Sequence, residues 1–402
     1  MGGLKPSKDW SLDKWLKWQD SLHSQVIDLG LERVSIVFKE IFPNGVPFKV
    51  ITVAGTNGKG STIAFIDSIY QQSNLSVGKF TSPHITKYNE RFAIDGDLVS
   101  DQVICNAFME IESIRGNISL TYFEFSTLAA LVIFSNKNID IATMEVGLGG
   151  RLDSVNVVDP DVSVITNIAI DHVEYLGDTR ELIGTEKAGI MRPNVPCICG
   201  DSNPPKSISK EAENIGAEIT FVTEIYPGEV NLKGDHQRIN AALAVKVVET
   251  LKAEIPITEK QIDDGVSRAY IDGRFQIIQK NNKNIILDVA HNEAAIKVLA
   301  NELTKNNEPT VAIFSALKDK SIAAMIDAMR PIVGLWLVVP LNVDRAIPTK
   351  DLRSAFSQTD NVTALESMDT AISHAMNSNL YSRIVIFGSF HTVSDALEVL
   401  NT

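Results

Sequence analysis

Short apolar runs rich in valine and isoleucine recur along the chain at 48–55 (FKVITVAG), 76–80 (SVGKF), 139–147 (IDIATMEVG) and 161–169 (DVSVITNIA). Segments of helical periodicity stand between them, such as 61–72 (STIAFIDSIYQQ) and 127–137 (TLAALVIFSNK). This alternation is the signature of βαβ units and a parallel sheet. Residues 11–40 read as helical, with Ser11 as a cap and apolar residues at Leu12, Trp15, Leu16 and Leu22. Near 271–284 (IDGRFQIIQKNNKN) the texture turns polar, and a second alternating series follows at 284–290, 309–317, 334–341 and 382–389. At 402 residues the chain exceeds what one core usually organises. Two α/β domains are expected, over 1–272 and 284–402, with a linker at 273–283.

Composition narrows the function classes. Thirty-seven basic against 50 acidic residues give a net charge of −13, which repels a polyanion, so nucleic acid is not an expected partner. The three cysteines, Cys105, Cys197 and Cys199, lack metal-ligand spacing and fit a reducing compartment. No apolar run approaches the ~20 residues of a membrane span, and no apolar leader core opens the sequence. A cytoplasmic protein without a membrane partner is expected.

Residues 51–62, ITVAGTNGKGST, pass from an apolar run into three glycines around one lysine. Glycines let the backbone approach a phosphate, the N-terminus of the following helix presents N–H groups to it, and Lys59 supplies positive charge. The order departs from G-x-x-x-x-G-K-[ST], because Gly60 intervenes between Lys59 and Ser61. Nucleotide binding and a plain tight turn both fit the loop alone. If it binds nucleotide, Lys59 neutralises the β and γ phosphates, and Ser61 or Thr62 offers a hydroxyl to magnesium.

Glu145 ends a strand-like run beside the glycine-rich GLGG, where an unpaired carboxylate is costly; its partner is either a cation or Arg151. His84 and His172 follow strand-like runs, and Lys187 lies in a helical stretch. Each has an ordinary reading as a satisfied or solvated residue.

Taken together, LHSQVIDLGLERV, VAGTNGKGST, TSPHITKYNERFAIDG, TYFEFSTLAAL, MEVGLGGRLDSVN, AIDHVEYLG, EKAGIMR, GRFQ, DVAHN and GSFHTV span nearly the whole chain. In this order they resemble the folylpolyglutamate synthases, with the bacterial bifunctional dihydrofolate synthases among them, within the Mur-type ATP-dependent ligases. The resemblance implies an N-terminal P-loop ATPase domain with a parallel-rich sheet flanked by helices, and a smaller C-terminal Rossmann-like domain. It places the active site in the cleft between them. It implies ATP contacts from Thr56, Asn57, Gly58, Lys59, Gly60 and Ser61, with Asn240 as adenine reader and Arg274 and Asp288 as further contacts. His291 looks like a ribose or phosphate contact that also stabilises charge on the transferring group. Gln237 departs from simpler Mur versions.

The resemblance also implies two magnesium sites, one from Ser82 and Glu145 and one from Glu145, His172 and Lys187. In this family the matching lysine is carbamylated, which turns a cation into an oxygen-bearing anion. Val26, Ile27 and Asp28, then Thr121, Tyr122, Phe123 and Glu124, then Leu152, Asp153 and Ser154 match pterin-binding stretches; Tyr122, Phe123 and Phe125 also read as core aromatics. The implied reaction joins L-glutamate to 7,8-dihydropteroate, and further γ-linked glutamates to reduced folates, through an acyl phosphate. A monomer is implied. A folylpolyglutamate synthase without the first activity, a cell-wall ligase acting on a UDP-sugar, and an ATPase switch are the alternatives; LHSQVIDLGLERV and TYFEFST speak against the second.

Overall fold

The computed structural model describes residues 6–401; Met1–Lys5 and Thr402, the ends of the two expected domains, lie outside the described residues. The chain forms two compact units. The first takes residues up to Pro83, Tyr88–Asn231 and Gln237–Tyr270, and the second takes His84–Lys87, Leu232–His236 and the chain from Ile271. Two short segments of the N-terminal sequence therefore belong to the second unit, which periodicity could not reveal.

The first unit is built on an eight-stranded sheet in the order Asp97–Leu98, Phe92–Ile94, Val77–Phe80, Ile141–Glu145, Lys49–Ala54, Val162–Ile165, Pro196–Cys199, Glu218–Phe221. Its last six strands run parallel, and the first two add an antiparallel edge. Val53 stands opposite both Glu145 and Val164, so three strand ends lie level. Parallel pairing puts the loops after Ala54, Phe80, Glu145 and Ile165 on one edge, where open α/β sheets bind ligands. Val50, Ile51 and Val53 of the central strand and Val162 and Val164 beside it are buried, as two covered faces require.

The helix Tyr122–Asn136 is buried along nearly its whole length, from Glu124 to Phe134. Thr121 and Glu124 close its N-terminus with a capping box. The helical stretch expected over 11–40 is instead two helices, Leu12–Asp20 and Glu32–Ile41. Ser21 ends the first by returning its N–H to the carbonyls of Trp18 and Gln19. Between the two helices the chain carries no helical ladder, and Asp28 bonds to the side chains of His23 and Arg33.

The second unit holds a six-stranded sheet in the order Val362–Ala364, Val333–Val338, Thr310–Phe314, Arg383–Phe387, Lys283–Asp288, Gln276–Lys280. Five strands are parallel and the last is antiparallel. The stretch 273–283 is thus not a free linker: Gln276–Lys280 is an edge strand, and Asn281 and Asn282 (φ 50° and 61°) turn a two-residue hairpin. Asparagine tolerates that left-handed turn, and the polar composition that resembled a linker belongs to a sheet edge. Phe314, Trp336 and Phe387 pack on one face of the sheet, and Ile285, Leu287 and Ile386 on the other. Among the described residues no helix is long and apolar enough to cross a membrane, and all three cysteines are buried and free.

Candidate active site

The loop after Lys49–Ala54 is shaped by what surrounds it. Gly55 (φ 147°) lies so close to Thr166 that a Cβ would stand 1.8 Å from its Oγ1. Gly58 (φ 87°) caps the helix Lys59–Tyr70 in the left-handed region, with Oδ1 of Asn240 2.8 Å from where a Cβ would be. Residues 166–169, at the end of the neighbouring strand, hold the loop. Thr56 N–H donates to the Asn167 carbonyl at 2.9 Å, Asn57 N–H to Asn167 Oδ1 at 3.0 Å, and Thr166 Oγ1 to the Asn57 carbonyl at 2.6 Å. Arg180 and Asp201 brace that segment in turn, through the carbonyl and the N–H of Ile168. These bonds fix the loop's shape at the start of a helix, whose first N–H groups have no intrahelical acceptor.

Two lysines converge on it. Lys59 Nζ lies 3.1 Å from the Gly55 carbonyl and Lys187 Nζ 3.0 Å from the same oxygen. Glu145, 6 % exposed, ends the neighbouring strand; its Oε2 accepts the Ser82 N–H at 3.1 Å and its Oε1 stands 4.0 Å from Lys59 Nζ. The alternative partner Arg151 is committed elsewhere, to Glu186 at 2.6 Å. Lys187 is not the solvated lysine its sequence allowed: it is buried, and desolvation, then the charge of Lys59, lower its pKa to about 7. His172 takes a left-handed conformation (φ 51°) before the short helix Val173–Leu176, beyond the segment that holds the loop. Hard oxygen donors from Glu145 and Ser82 suit magnesium. Among the described residues no group of three His, Cys, Asp or Glu is assembled for a metal, and the expected sets do not need one, since they draw on serine and lysine.

Gln237 and Asn240 sit on this same helix N-terminus: Asn240 Nδ2 donates to Gln237 Oε1 at 2.9 Å, and Gln237 Nε2 to Ser61 Oγ at 3.3 Å. Asn240 therefore packs against the phosphate loop itself, and Gln237 is the link.

The segments expected around a pterin also meet. The Gly30 N–H reaches the Leu152 carbonyl at 3.2 Å, which joins the loop 21–31 to Leu152–Ser154. Ser154 Oγ meets Thr127 Oγ1 at 2.7 Å. Phe123 packs on Phe80 and against Gly147, where a Cβ would lie 2.7 Å from the ring. Tyr122 faces the Arg91 guanidinium at 5.5 Å and stacks edge-on with Tyr88. Val26 is 90 % exposed at the loop tip. Asp153 is buried and accepts the N–H groups of Leu148 and Val155; desolvation raises its pKa to about 6. Its carboxylate shapes the glycine-rich loop from beneath. Arg33 and His23, which periodicity did not single out, bond to Asp28.

In the second unit, Arg274, Asp288 and His291 form their own group. Asp288 Oδ2 accepts the Phe275 N–H and Oδ1 the Ala290 N–H, each at 2.8 Å; burial raises its pKa, opposed by Arg274. His291 Nδ1 donates to the Val289 carbonyl at 2.8 Å, which fixes the ring orientation. Phe390 lies between the other two: the Arg274 guanidinium is 5.3 Å and the His291 ring 5.8 Å from its centroid.

Two family models match the chain: the Mur ligase middle domain over residues 53–224 and the Mur ligase glutamate ligase domain over 273–390. The dihydrofolate synthase/folylpolyglutamate synthase of Escherichia coli (strain K12) is 37 % identical over 410 residues, covering 97 % of this chain and 96 % of its own. The protein of that name from Bacillus subtilis (strain 168) is 33 % identical, covering 91 % and 94 %. Among solved structures, E. coli FolC in complex with DHPP and ADP superposes with a TM-score of 0.93 at 35 % identity, covering 99 % of each chain. The Yersinia pestis bifunctional folylpolyglutamate synthase/dihydrofolate synthase complexed with AMPPNP and Mn ion gives 0.90 at 35 %, covering 99 % of this chain and 100 % of its own.

Proposed function

This chain belongs to the dihydrofolate synthase/folylpolyglutamate synthases, a family of Mur ligases, and from that membership we propose how its site works. It is an ATP-dependent amide-forming ligase that joins L-glutamate to 7,8-dihydropteroate and further γ-linked glutamates to reduced folates. The observation that carries the reading is the convergence of Lys59 and Lys187 on the Gly55 carbonyl beside buried Glu145, at the N-terminus of a helix. Purified protein incubated with ATP, magnesium and glutamate, separately with dihydropteroate and with tetrahydrofolate, tests it by the mass of the products. Each acceptor is expected to gain glutamyl units; no gain on dihydropteroate would leave folylpolyglutamate synthesis alone.

A carboxylate does not accept an amine at neutral pH, because its leaving group would be oxide or hydroxide. Transfer of the γ-phosphoryl group of ATP makes an acyl phosphate; the amine of glutamate attacks its carbonyl carbon, and phosphate leaves. The helix N-terminus and the loop N–H groups hold the nucleotide phosphates, while Lys59 neutralises charge on the group being transferred. Its ammonium group is held beside the loop by the Gly55 and Thr56 carbonyls. No enzyme nucleophile is required. Arg274, His291 and Asp288, with Asn240, complete the nucleotide contacts in this reading; with both oxygens on backbone N–H groups, Asp288 meets the ligand through its remaining lone pairs.

Bound magnesium would shield the phosphate charges and fix their geometry. Ser82 and Glu145 would hold one ion, and Glu145, His172 and carbamylated Lys187 a second. Support for the carbamate lies in the burial of Lys187: with its pKa lowered to about 7, much of it is free amine at neutral pH. That amine adds carbon dioxide, forming an N–C bond and releasing one proton, and the carbamate anion replaces a cation that would repel the metal. Val26–Asp28, Thr121–Glu124 and Leu152–Ser154 are assigned to the pterin, whose flat ring suits the aromatic wall of Tyr122 and Phe123. The reading takes the protein as a cytoplasmic monomer with its ATPase and glutamate-ligase domains divided close to residue 272.

A further inference from the structure

Arg33 bridges two of the stretches assigned to the pterin. Its Nη1 donates to Asp28 Oδ2 at 2.6 Å and its Nη2 to the Asp28 carbonyl at 3.0 Å. Nη2 also lies 3.2 Å from Glu124 Oε1, and Nε reaches Glu124 Oε2 at 3.5 Å. His23 approaches from the other side, with Nε2 3.0 Å from the same Asp28 oxygen and Nδ1 3.0 Å from Ser119 Oγ. Oδ2 of Asp28 thus takes two donors, whereas among the described residues none donates to Oδ1.

The loop 21–31 has no helical or sheet ladder of its own, so side chains must supply its order. A planar guanidinium suits this task, since its fork can serve a carboxylate, a carbonyl and a second carboxylate at once; a lysine ammonium cannot hold that plane. Glu124 is anchored independently, through its capping box with Thr121 at the start of a buried helix. The bridge therefore references Asp28 to a rigid element, as a preorganised site requires.

We infer that Arg33 and His23 are positioning residues for the pterin substrate. They fix the plane of the Asp28 carboxylate by engaging Oδ2, so that Oδ1 is the oxygen that accepts an N–H of the substrate's aminopyrimidinone edge. The inference rests on the assignment of Val26–Asp28 and Thr121–Glu124 to the pterin.

The test measures KM for dihydropteroate and for ATP in wild type, Arg33→Lys, His23→Ala, His23→Gln, Asp28→Asn and the Arg33→Lys/Asp28→Asn pair. Arg33→Lys should raise KM for dihydropteroate by about tenfold and leave KM for ATP unmoved, an effect that vanishes in the Asp28→Asn background because it acts through that carboxylate. His23→Gln retains a donor at the reach of Nε2 and should restore most of what His23→Ala loses. Equal rises in both KM values, additive effects in the pair, or an unchanged KM overturn the inference. If Arg33→Lys does not fold, the two His23 variants decide by the same criterion. Wild-type protein that uses ATP and tetrahydrofolate but not dihydropteroate fails the first-glutamate reading, whereas wild-type turnover with indifferent variants fails only this inference.

Discussion

Lys187 has exchanged water for the interior of the first unit, where it donates to the Gly55 carbonyl with the Lys59 ammonium group nearby. An unmodified lysine there loses its proton more readily than in the unfolded chain, from an ordinary value of 10.5 to about 7. Between those values the unfolded state binds more protons, so the contribution of this group to stability rises with pH across that window. Thermal unfolding of carbon dioxide-depleted, metal-free protein should show a stabilising slope from about pH 7 upward that Lys187→Met lacks. Lys187→Ala should lose ligase activity and regain part of it with added small carboxylates, which replace the missing carbamate; full activity without rescue would exclude this lysine from the metal site. Neither behaviour could be read from EKAGI, because a lysine's burial depends on what packs over it. Glu145 poses the same problem: the sequence left it between a cation and Arg151, and the Arg151–Glu186 pair removes the second choice.

At the scale of elements, the strand–loop–helix unit at 49–70 was legible because its signals are local: an apolar run, glycines where the backbone turns, and a helical pattern afterwards. What holds the loop was not legible, since Thr166, Asn167 and Asn240 are more than a hundred residues away. Gly58→Ala should raise KM for ATP by about tenfold, because the left-handed backbone and the Asn240 side chain both resist a Cβ. Gly45→Ala shares a positive φ of 80° but meets nothing within 4 Å, so it should cost stability alone; initial rates at varied ATP separate the two. The stretch 21–31 reads as helix because Leu12, Trp15, Leu16 and Leu22 carry a helical rhythm past Ser21, where the first helix ends. There the chain leaves the helix at Ser21, and the side chains of Asp28, Arg33 and His23 bond to one another across the loop, contacts that periodicity does not record. In the hairpin at 276–288 the inner strand was legible from its apolar run, but Gln276–Lys280 reads as linker because a sheet edge favours polar residues.

For the whole molecule, positioning and charge carry the chemistry, so one group can be removed without removing the fold. Lys59→Ala should slow glutamate ligation at least about a hundredfold. It should melt within a few degrees of wild type, since its side chain contributes to the site and not to the apolar core. A non-hydrolysable ATP analogue with magnesium at a hundred times its Kd should stabilise wild type by about 2.7 kcal/mol and so raise its melting temperature, and chelation of the metal should shrink that rise. The variant should show a smaller rise, as calorimetry of both proteins would reveal. Alternating strands and helices, the glycine loop and the family motifs were enough to identify two parallel-sheet units and an ATP-dependent ligase, because these signals depend on residues close together in sequence. Folding alone decided which polar groups are desolvated, which carboxylate keeps an open oxygen, and which short segments join the second unit. Those properties are set by neighbours from distant parts of the chain, and burial and pairing have no periodicity in sequence.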